Sequence, residues 1–484
     1  MWIGGHPWQP ETRAKQGPPG ETPSPDPLDV VAAWPTDRPL GVLLSGRHHP
    51  TWSRWSVVAE PCETHHVPVA ETPGDPSDPL SELDRIAQNA GDDLLLCAVS
   101  YDAGRSIESI PSARPPDRDW PAVYAGRCRA WACHDRPTGR WSLFGSSQER
   151  QILAQRLAAA HRAQADAESD TPATRFQTGP PVATPADADH EAAVARAIER
   201  IAQGDVFQVN LARRITREFQ GDPRALFHAV ARAAEPWFGA WLELDPPGAA
   251  TRRGLASASP ELFLDLTRPP AVVSRPIKGT RPNPGDADPR AAAERLRDSP
   301  KDRAELAMIV DLVRNDLGRV AQPGSVRVDE ARRIEAHPTV WQAVATVSAD
   351  LRPGLNAVDA LRAALPPGSV IGAPKVQAMQ LIESLEPARR GPYCGVVGWM
   401  HQGRSAWSVA IRTLALEVDR HNAGRIDQWV GGGVVADSTP QGELLETRVK
   451  AAAIDRALHS AGAQADPAPA RKPAEAQPQT VPPA

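Results

Sequence analysis

Hydrophobic positions follow two rhythms along this chain. Between 190 and 203, Ala193, Val194, Ala197, Ile198 and Ile201 recur at helical spacing. Similar patterns predict helices over 301–317, closed by Gly318 and Arg319, over 374–385 and over 440–458. The last begins at Ser438-Thr439-Pro440, with a capping hydroxyl and a proline suited to the first helical position. Short apolar runs predict strands at Gly41–Leu44 and Leu94–Val99. Others follow at 207–212, 241–244, 262–266, 395–400, 407–414 and 426–430. This mixture over 189–460 predicts one large α+β domain.

Composition marks the remainder. The 484 residues include 51 prolines, roughly twice the usual share, concentrated rather than periodic. A collagen-like chain is excluded. Residues 1–38 read as a flexible proline-rich lead-in, 39–163 as an N-terminal region of short strands, 164–188 as a linker, and 461–484 as a disordered Ala/Pro tail. With 54 basic and 59 acidic residues, the net charge is −5 and no basic tract stands out, so nucleic acid is not an expected partner. Cys62, Cys97, Cys128, Cys133 and Cys394 lie far apart without a CxxC pair, which argues against a disulfide framework or zinc site and fits a cytoplasmic setting. No leader-like segment or apolar run of about 18 residues is present, so neither secretion nor membrane insertion is expected.

Several constellations carry candidate chemistry. Glu443, Glu446 and Lys450 share one helical face, and two carboxylates a turn apart suit Mg²⁺; a solvated face with a Glu446–Lys450 pair fits the spacing too. Glu305 neighbours apolar Leu306 and Ile309 and needs a cation, supplied by a metal or by Lys301 or Arg303. Lys278 lies in Arg275-Pro276-Ile277-Lys278-Gly279-Thr280, where proline stiffens the chain; it is either a surface amine or a nucleophile. Gly431-Gly432-Gly433 permits close backbone approach to an anion or merely tight packing. The run from Gly368 to Lys375 ends at a helix start, which favours anions. Arg412, in an apolar run read as strand, suits a ligand carboxylate or an internal partner.

Together these segments are similar to those of the chorismate-utilising enzymes, over roughly 189–456. The resemblance rests on Gly204-Asp205-Val206-Phe207-Gln208-Val209-Asn210-Leu211, Ser257-Ala258-Ser259-Pro260-Glu261, the Pro-Ile-Lys-Gly-Thr run at 276–280, and Lys301-Asp302-Arg303-Ala304-Glu305. It extends through Ile309 to Asp316, Gly372-Ala373-Pro374-Lys375, Ala410 to Leu414 and Glu446-Thr447. More loosely, Arg54 to Ala59 and Tyr101 to Arg105 resemble two of the family's N-terminal strands. The fold implied is anthranilate synthase component I-like: an α+β sandwich of two large antiparallel sheets, helices outside and the active site in a cleft.

The resemblance also implies a reaction. Water-adding members carry a lysine base where this chain has Gln208, and glutamine is no base. Anthranilate-forming members carry alanine where this chain has Lys278, the mark of the aminodeoxychorismate-forming branch. Expected, then, is amination of chorismate at C4 on the route to 4-aminobenzoate and folate. Lys278 would be the nucleophile and Glu261 the general acid. Mg²⁺ would be held by Glu305 and Glu446 with Glu443 assisting. Arg412, Lys450, Tyr393 and the amides near Gly432 and Gly433 would hold the carboxylates, with Gln208 and Thr280 also at the substrate. The chain shows no nucleophilic cysteine in a glycine-rich elbow, so ammonia is expected from a glutamine amidotransferase partner. Two positions depart from the family pattern: Ile371 replaces a threonine, and Gln342 a histidine. The alternatives are an anthranilate synthase component I and a chorismate-binding subunit without turnover.

Overall fold

A computed structural model describes residues 25–461, apart from 76, 112–113, 168–174, 283–288 and 338–339. Two large antiparallel sheets form the centre, of twelve and ten strands among the described residues. Their facing sides share one core, in which Leu43, Val57, Leu242 and Leu255 of the wider sheet meet Leu96, Leu262, Val397 and Trp399 of the narrower. Helices cover both outer faces. Pro27–Ala33, Pro223–Ala234 and Pro440–Ala461 pack Leu28, Leu226, Val230 and Ile454 on the wider sheet. Pro79–Asn89, Pro300–Gly318 and Ala357–Ala364 bury Leu83, Ile309 and Leu361 on the other side, while Lys375–Leu385, with Ile382 buried, lies against Gln208–Gly221 of the wider sheet. The result is a four-layered α+β sandwich.

Both halves of the chain build both sheets. Gly41–Leu44 pairs with Phe238–Glu243, and Leu94–Val99 with Val396–His401. The strands of 39–163 thus extend the same sandwich as those of 189–460. Some boundaries differ from expectation. The lead-in does not stay irregular through residue 38: Pro27–Ala33 is a helix with Asp26 accepting from the Leu28 N–H and Val30 and Val31 buried. Its single turn-spaced apolar cluster is too short to stand out among prolines. The linker assignment also fails in part. Ser147–Ala167 is a helix, and Phe176–Thr178 and Val182–Thr184 pair with Gln208–Gly221. These edge strands are polar because little but Phe176 is buried. The expected tail lies, beyond Ala461, outside the described residues. Tyr101–Ser106 is a 3₁₀ turn rather than a strand, with Asp102 accepting from the Gly391 N–H at 3.0 Å.

The largest difference concerns 407–414. The apolar run is continuous, yet Arg404–Val409 belongs to the narrower sheet and Thr413–Asp419 to the wider. The chain crosses between them at Ala410, Ile411 and Arg412, and Arg412 takes φ +51°. Beside it, Thr251–Ser259 ends in the wider sheet and Leu262–Asp265 begins in the narrower, so Pro260 and Glu261 cross too. Two backbone bonds tie the crossings together: Val409 donates to the Glu261 carbonyl at 3.1 Å and Ala258 to the Arg412 carbonyl at 3.0 Å. Past the pairs Ser257–Thr413 and Leu414–Gln428, no strand fills the space between 258–259 and 429–434. The wider sheet opens there.

Beneath that opening, charge is buried in pairs. Arg390 meets Glu386 at 2.6 Å and donates to the Asn210 carbonyl at 2.6 Å, while Glu386 accepts from the Ala212 N–H at 2.8 Å. These bonds fasten the end of the Lys375–Leu385 helix to the strand Gln208–Gly221. Glu386→Ala leaves a buried guanidinium without its counter-charge and is expected to cost about 3–5 kcal/mol in urea unfolding. A loss under about 1 kcal/mol would count against this account.

Candidate active site

Through the opening in the wider sheet runs a cleft of about 1450 Å³. Its walls include Glu261, Lys278, Thr280, Glu305, Tyr393, Arg412, Gly433, Glu443, Glu446 and Lys450. Ten of the twelve expected site residues thus line one space. Gly432 and Gln208 do not.

Local structure explains each position. Lys278 sits on Ile277–Pro282, where the register against Val340–Asp350 shifts between Ile277 and Thr280. Such a bulge re-aims side chains, and Gly279 accepts the required φ of +86°. The amine lies where a Cβ on Gly433 would come within 3.3 Å of Nζ. The same Cβ would overlap Gln208 Nε2, so glycine at 433 is what lets Gln208 pack against the strand beside the lysine. Glu261 and Arg412 come from the two crossings. Glu305 projects from Pro300–Gly318, and Glu443 and Glu446 from the first turns of Pro440–Ala461.

The strand Ala423–Val434 sorts the glycines. Gly431 and Gly433 pair with Ala212 and Asn210. A Cβ on Gly431 would fall 3.0 Å from the Tyr393 hydroxyl. Gly432 faces the other way, where a Cβ would overlap Glu443 Oε2 and stand 3.5 Å from Glu446 Oε1. It therefore backs the acidic helix rather than the cleft wall. Gln208 is fully buried behind Gly433, and neither of its amide atoms has a hydrogen-bond partner among the described residues. Asn210, two residues on along the same face, does line the cleft and bonds Tyr393. Its period-two relation to Gln208 was the available signal.

Electrostatics couple these groups. Burial pulls the Lys278 amine below its ordinary range and Lys450 adds to the fall, while Glu305, Glu261 and Glu446 oppose it. Burial lifts the Glu261 carboxyl to about 7, against a Ser369 hydrogen bond and the charges of Lys278 and Arg412. Burial also works against the Arg412 charge, which Glu261 supports. Glu305 is raised by burial and by Asp302 and Glu446, with Lys278 and Lys301 opposing. Burial would raise Glu446 as well, but Lys450 at 2.7 Å outweighs it and the carboxyl falls below its ordinary range. Lys450 also donates to the Gly431 carbonyl at 2.7 Å. Near Arg412, the His337 ring lies tilted against Trp237 with centroids 4.3 Å apart; burial and the nearby arginines lower it to about 3, so it stays neutral.

The two departures differ in consequence. Ile371 is fully buried, its carbonyl accepting from the Asn210 N–H at 2.7 Å, and is absent from the cleft wall. Gln342 lines the cleft, is 3% exposed, and leaves Oε1 without a partner among the described residues. Lys375 is structural: its ammonium lies 2.7 Å from both Asp316 and the Ala364 carbonyl.

The donor set can be tested for a divalent cation. Burial raises the Glu443 carboxyl against a Ser438 hydrogen bond to Oε1 at 2.6 Å, and its buried Oε2 has no partner among the described residues. Gly432 leaves room beside that oxygen. Among the described residues no three His, Cys, Asp or Glu side chains converge as a closed cage. One or two carboxylates completed by ligand oxygens and water suit Mg²⁺ nonetheless. The residues therefore fit a cation shared with a ligand rather than a protein-only site.

The fold and cleft define a two-sheet protein whose cleft is lined by paired acids and bases. A sequence model described as chorismate binding enzyme matches residues 43–456. The chain belongs to that family and is an enzyme acting on chorismate. It is 38% identical over 364 residues to an aminodeoxychorismate synthase component 1 of Klebsiella aerogenes, covering 74% of this chain and 75% of the relative. It is 36% identical over 388 residues to an anthranilate synthase component 1 of Streptomyces coelicolor, covering 76% and 73%. The anthranilate synthase component I of Streptococcus pneumoniae shares the fold at TM-score 0.68 and 24% identity, covering 84% of this chain and 93% of that one.

A carboxyl held at about 7 instead of its ordinary 4.5 keeps its proton in the folded state across that window. The unfolded chain releases it first, so stability falls as pH rises from 4.5 to about 7. Relative to the native protein, Glu261→Gln is expected to gain on the order of 3 kcal/mol between the two ends of that window. Urea unfolding below and above it checks this; a difference independent of pH would refute it.

Proposed function

We propose that this chain is the chorismate-aminating component of an aminodeoxychorismate synthase. It would convert chorismate and ammonia to 4-amino-4-deoxychorismate, the ammonia coming from a glutamine amidotransferase partner. Relatives of both names lie at 36–38% identity, so overall similarity leans only mildly to this member. The observation that carries the choice is Lys278, which lines the cleft beside Glu261 and Glu305 with its amine shifted toward the neutral form.

In this reading Arg412, Lys450 and the Asn210–Tyr393 pair orient the two carboxylates of chorismate. Glu305 and Glu446 would hold Mg²⁺ together with ligand oxygens and water, Glu443 assisting, and the ion would supply charge neutralisation at the ring carboxylate. The neutral Lys278 amine attacks C2. The ring double bonds shift, the C4–O bond breaks, and Glu261 gives its proton so that water leaves. Ammonia then adds at C4, the double bonds shift back, and the C2–N bond to Lys278 breaks. The proton lost by ammonia returns to the site. The net change is C4 hydroxyl to C4 amine, with the enolpyruvyl group kept. Gln342 on the cleft wall offers a hydrogen bond but no base, and Gln208 lies behind Gly433 and is no base either, which disfavours activation of water.

Two outcomes follow from this reading. Lys278→Ala is expected to lower 4-amino-4-deoxychorismate formation by ~10³ or more, measured by chromatography with chorismate, Mg²⁺ and ammonium. An unchanged rate and product would remove the nucleophile assignment. Glu305→Gln should raise the Mg²⁺ concentration for half-maximal activity at least ~10-fold, and an unaltered metal titration would sink the ligand assignment.

A further inference from the structure

The cleft extends well past the catalytic groups. At the Lys278 end its cations are opposed: Arg281 meets Asp302 at 2.5 Å, Lys301 lies 3.9 Å from Glu305, and Lys450 lies 2.7 Å from Glu446. The other limb passes between the helices Pro223–Ala234 and Pro440–Ala461 on the outer face of the wider sheet. Small side chains such as Ala225, Ala229 and Ala233 form its wall and keep it open. Its charged lining is of one sign: Arg175, Arg232 and Arg456, with His228. No carboxylate lines this limb among the described residues. Asp455, next to Arg456 in sequence, is taken by Arg217 at 2.6 Å. Asp26 and Asp29 act on His228 from the neighbouring helix, but Asp26 already caps Leu28 and pairs with Arg136.

We propose that this arginine-lined limb is an anion-receiving vestibule through which the dicarboxylate ligand reaches the catalytic end. The inference rests on the proposed substrate only in that the ligand carries two carboxylates. Positive charge gathered along one stretch of cleft wall without a facing carboxylate raises the local concentration of an anion and its association rate. The catalytic end, where every lysine and arginine already has a carboxylate beside it, offers no such field. Arg175 donates to the Ala32 carbonyl at 3.3 Å, a neutral partner that leaves its charge in place to pass the anion inward toward Arg412.

The test is the association rate constant of chorismate, followed by the fluorescence of the protein, Trp429 being part of the cleft wall. The double variant Arg232→Glu, Arg456→Glu changes two exposed side chains and should fold normally. At low ionic strength its association rate is expected to fall ~10-fold or more, and the loss to vanish as salt approaches 1 M, where the screening length is ~3 Å. The pair Arg232→Lys, Arg456→Lys keeps the charge and should keep the rate. An equal rate for the Glu variant at low salt, or a loss that persists undiminished at high salt, would overturn the vestibule. Association does not depend on which product forms. A product other than 4-amino-4-deoxychorismate would therefore defeat the proposed function while leaving this inference to its own measurement.

Discussion

Everything at the catalytic end depends on two neighbouring segments stepping together from one sheet to the other. Pro260-Glu261 and Ala410-Ile411-Arg412 cross side by side, tied by the Val409–Glu261 and Ala258–Arg412 backbone bonds. A strand that leaves a sheet takes its ladder with it, so the wider sheet must open where the crossing occurs. The opening admits solvent and ligand to an otherwise closed interior. The same step delivers a carboxyl and a guanidinium to the rim, one of them on backbone held at φ +51°. A left-handed conformation at a non-glycine residue is tolerated only where its surroundings over-determine it, and here both sheets do so.

Burial then sets the protonation states. The pocket is dry enough to lift Glu261 to about 7 and to draw Lys278 downward, so acid and amine approach each other's range. Such convergence is what acid-assisted departure of a hydroxyl and attack by an uncharged amine require at neutral pH. The opposing carboxylates of Glu305 and Glu446 keep the lysine from falling further. A cation placed among those carboxylates would weaken their hold on the proton of Lys278.

The scaffold around this region is stiffened by buried charge as well as by apolar packing. Arg390–Glu386 and Arg275–Glu335 are both nearly inaccessible to water, the second pair at 2.5 Å. Arg275 also lies over the Trp52 ring at 4.3 Å. It immediately precedes the proline and bulge that carry Lys278, so the loop is anchored on its N-terminal side by an ion pair and an aromatic face. Ion pairs so deep add little net stability over apolar packing, but they are costly to break singly and therefore specify one arrangement.

Much of this was legible in the chain. Helical periodicity located Pro300–Gly318 and Pro440–Ala461 to within a few residues, because long amphipathic segments keep their spacing whatever they pack against. The motif runs identified the family and ten of the residues on the cleft wall. Polar edge strands and the short Pro27–Ala33 helix escaped because their pairing partners lie far away in sequence. Arg412 was misread as mid-strand for the same reason: hydrophobicity records that a residue is buried, not which sheet bonds its backbone. The sequence by itself thus determined the helices, the chemistry on offer and the kinship, since these depend on local spacing and residue type. Only the tertiary structure decided that Gly432 faces the acidic helix, that Gln208 sits behind Gly433, and that the cleft has a one-signed limb. Those follow from strand register, crossing and helix packing, which join residues that no local pattern connects.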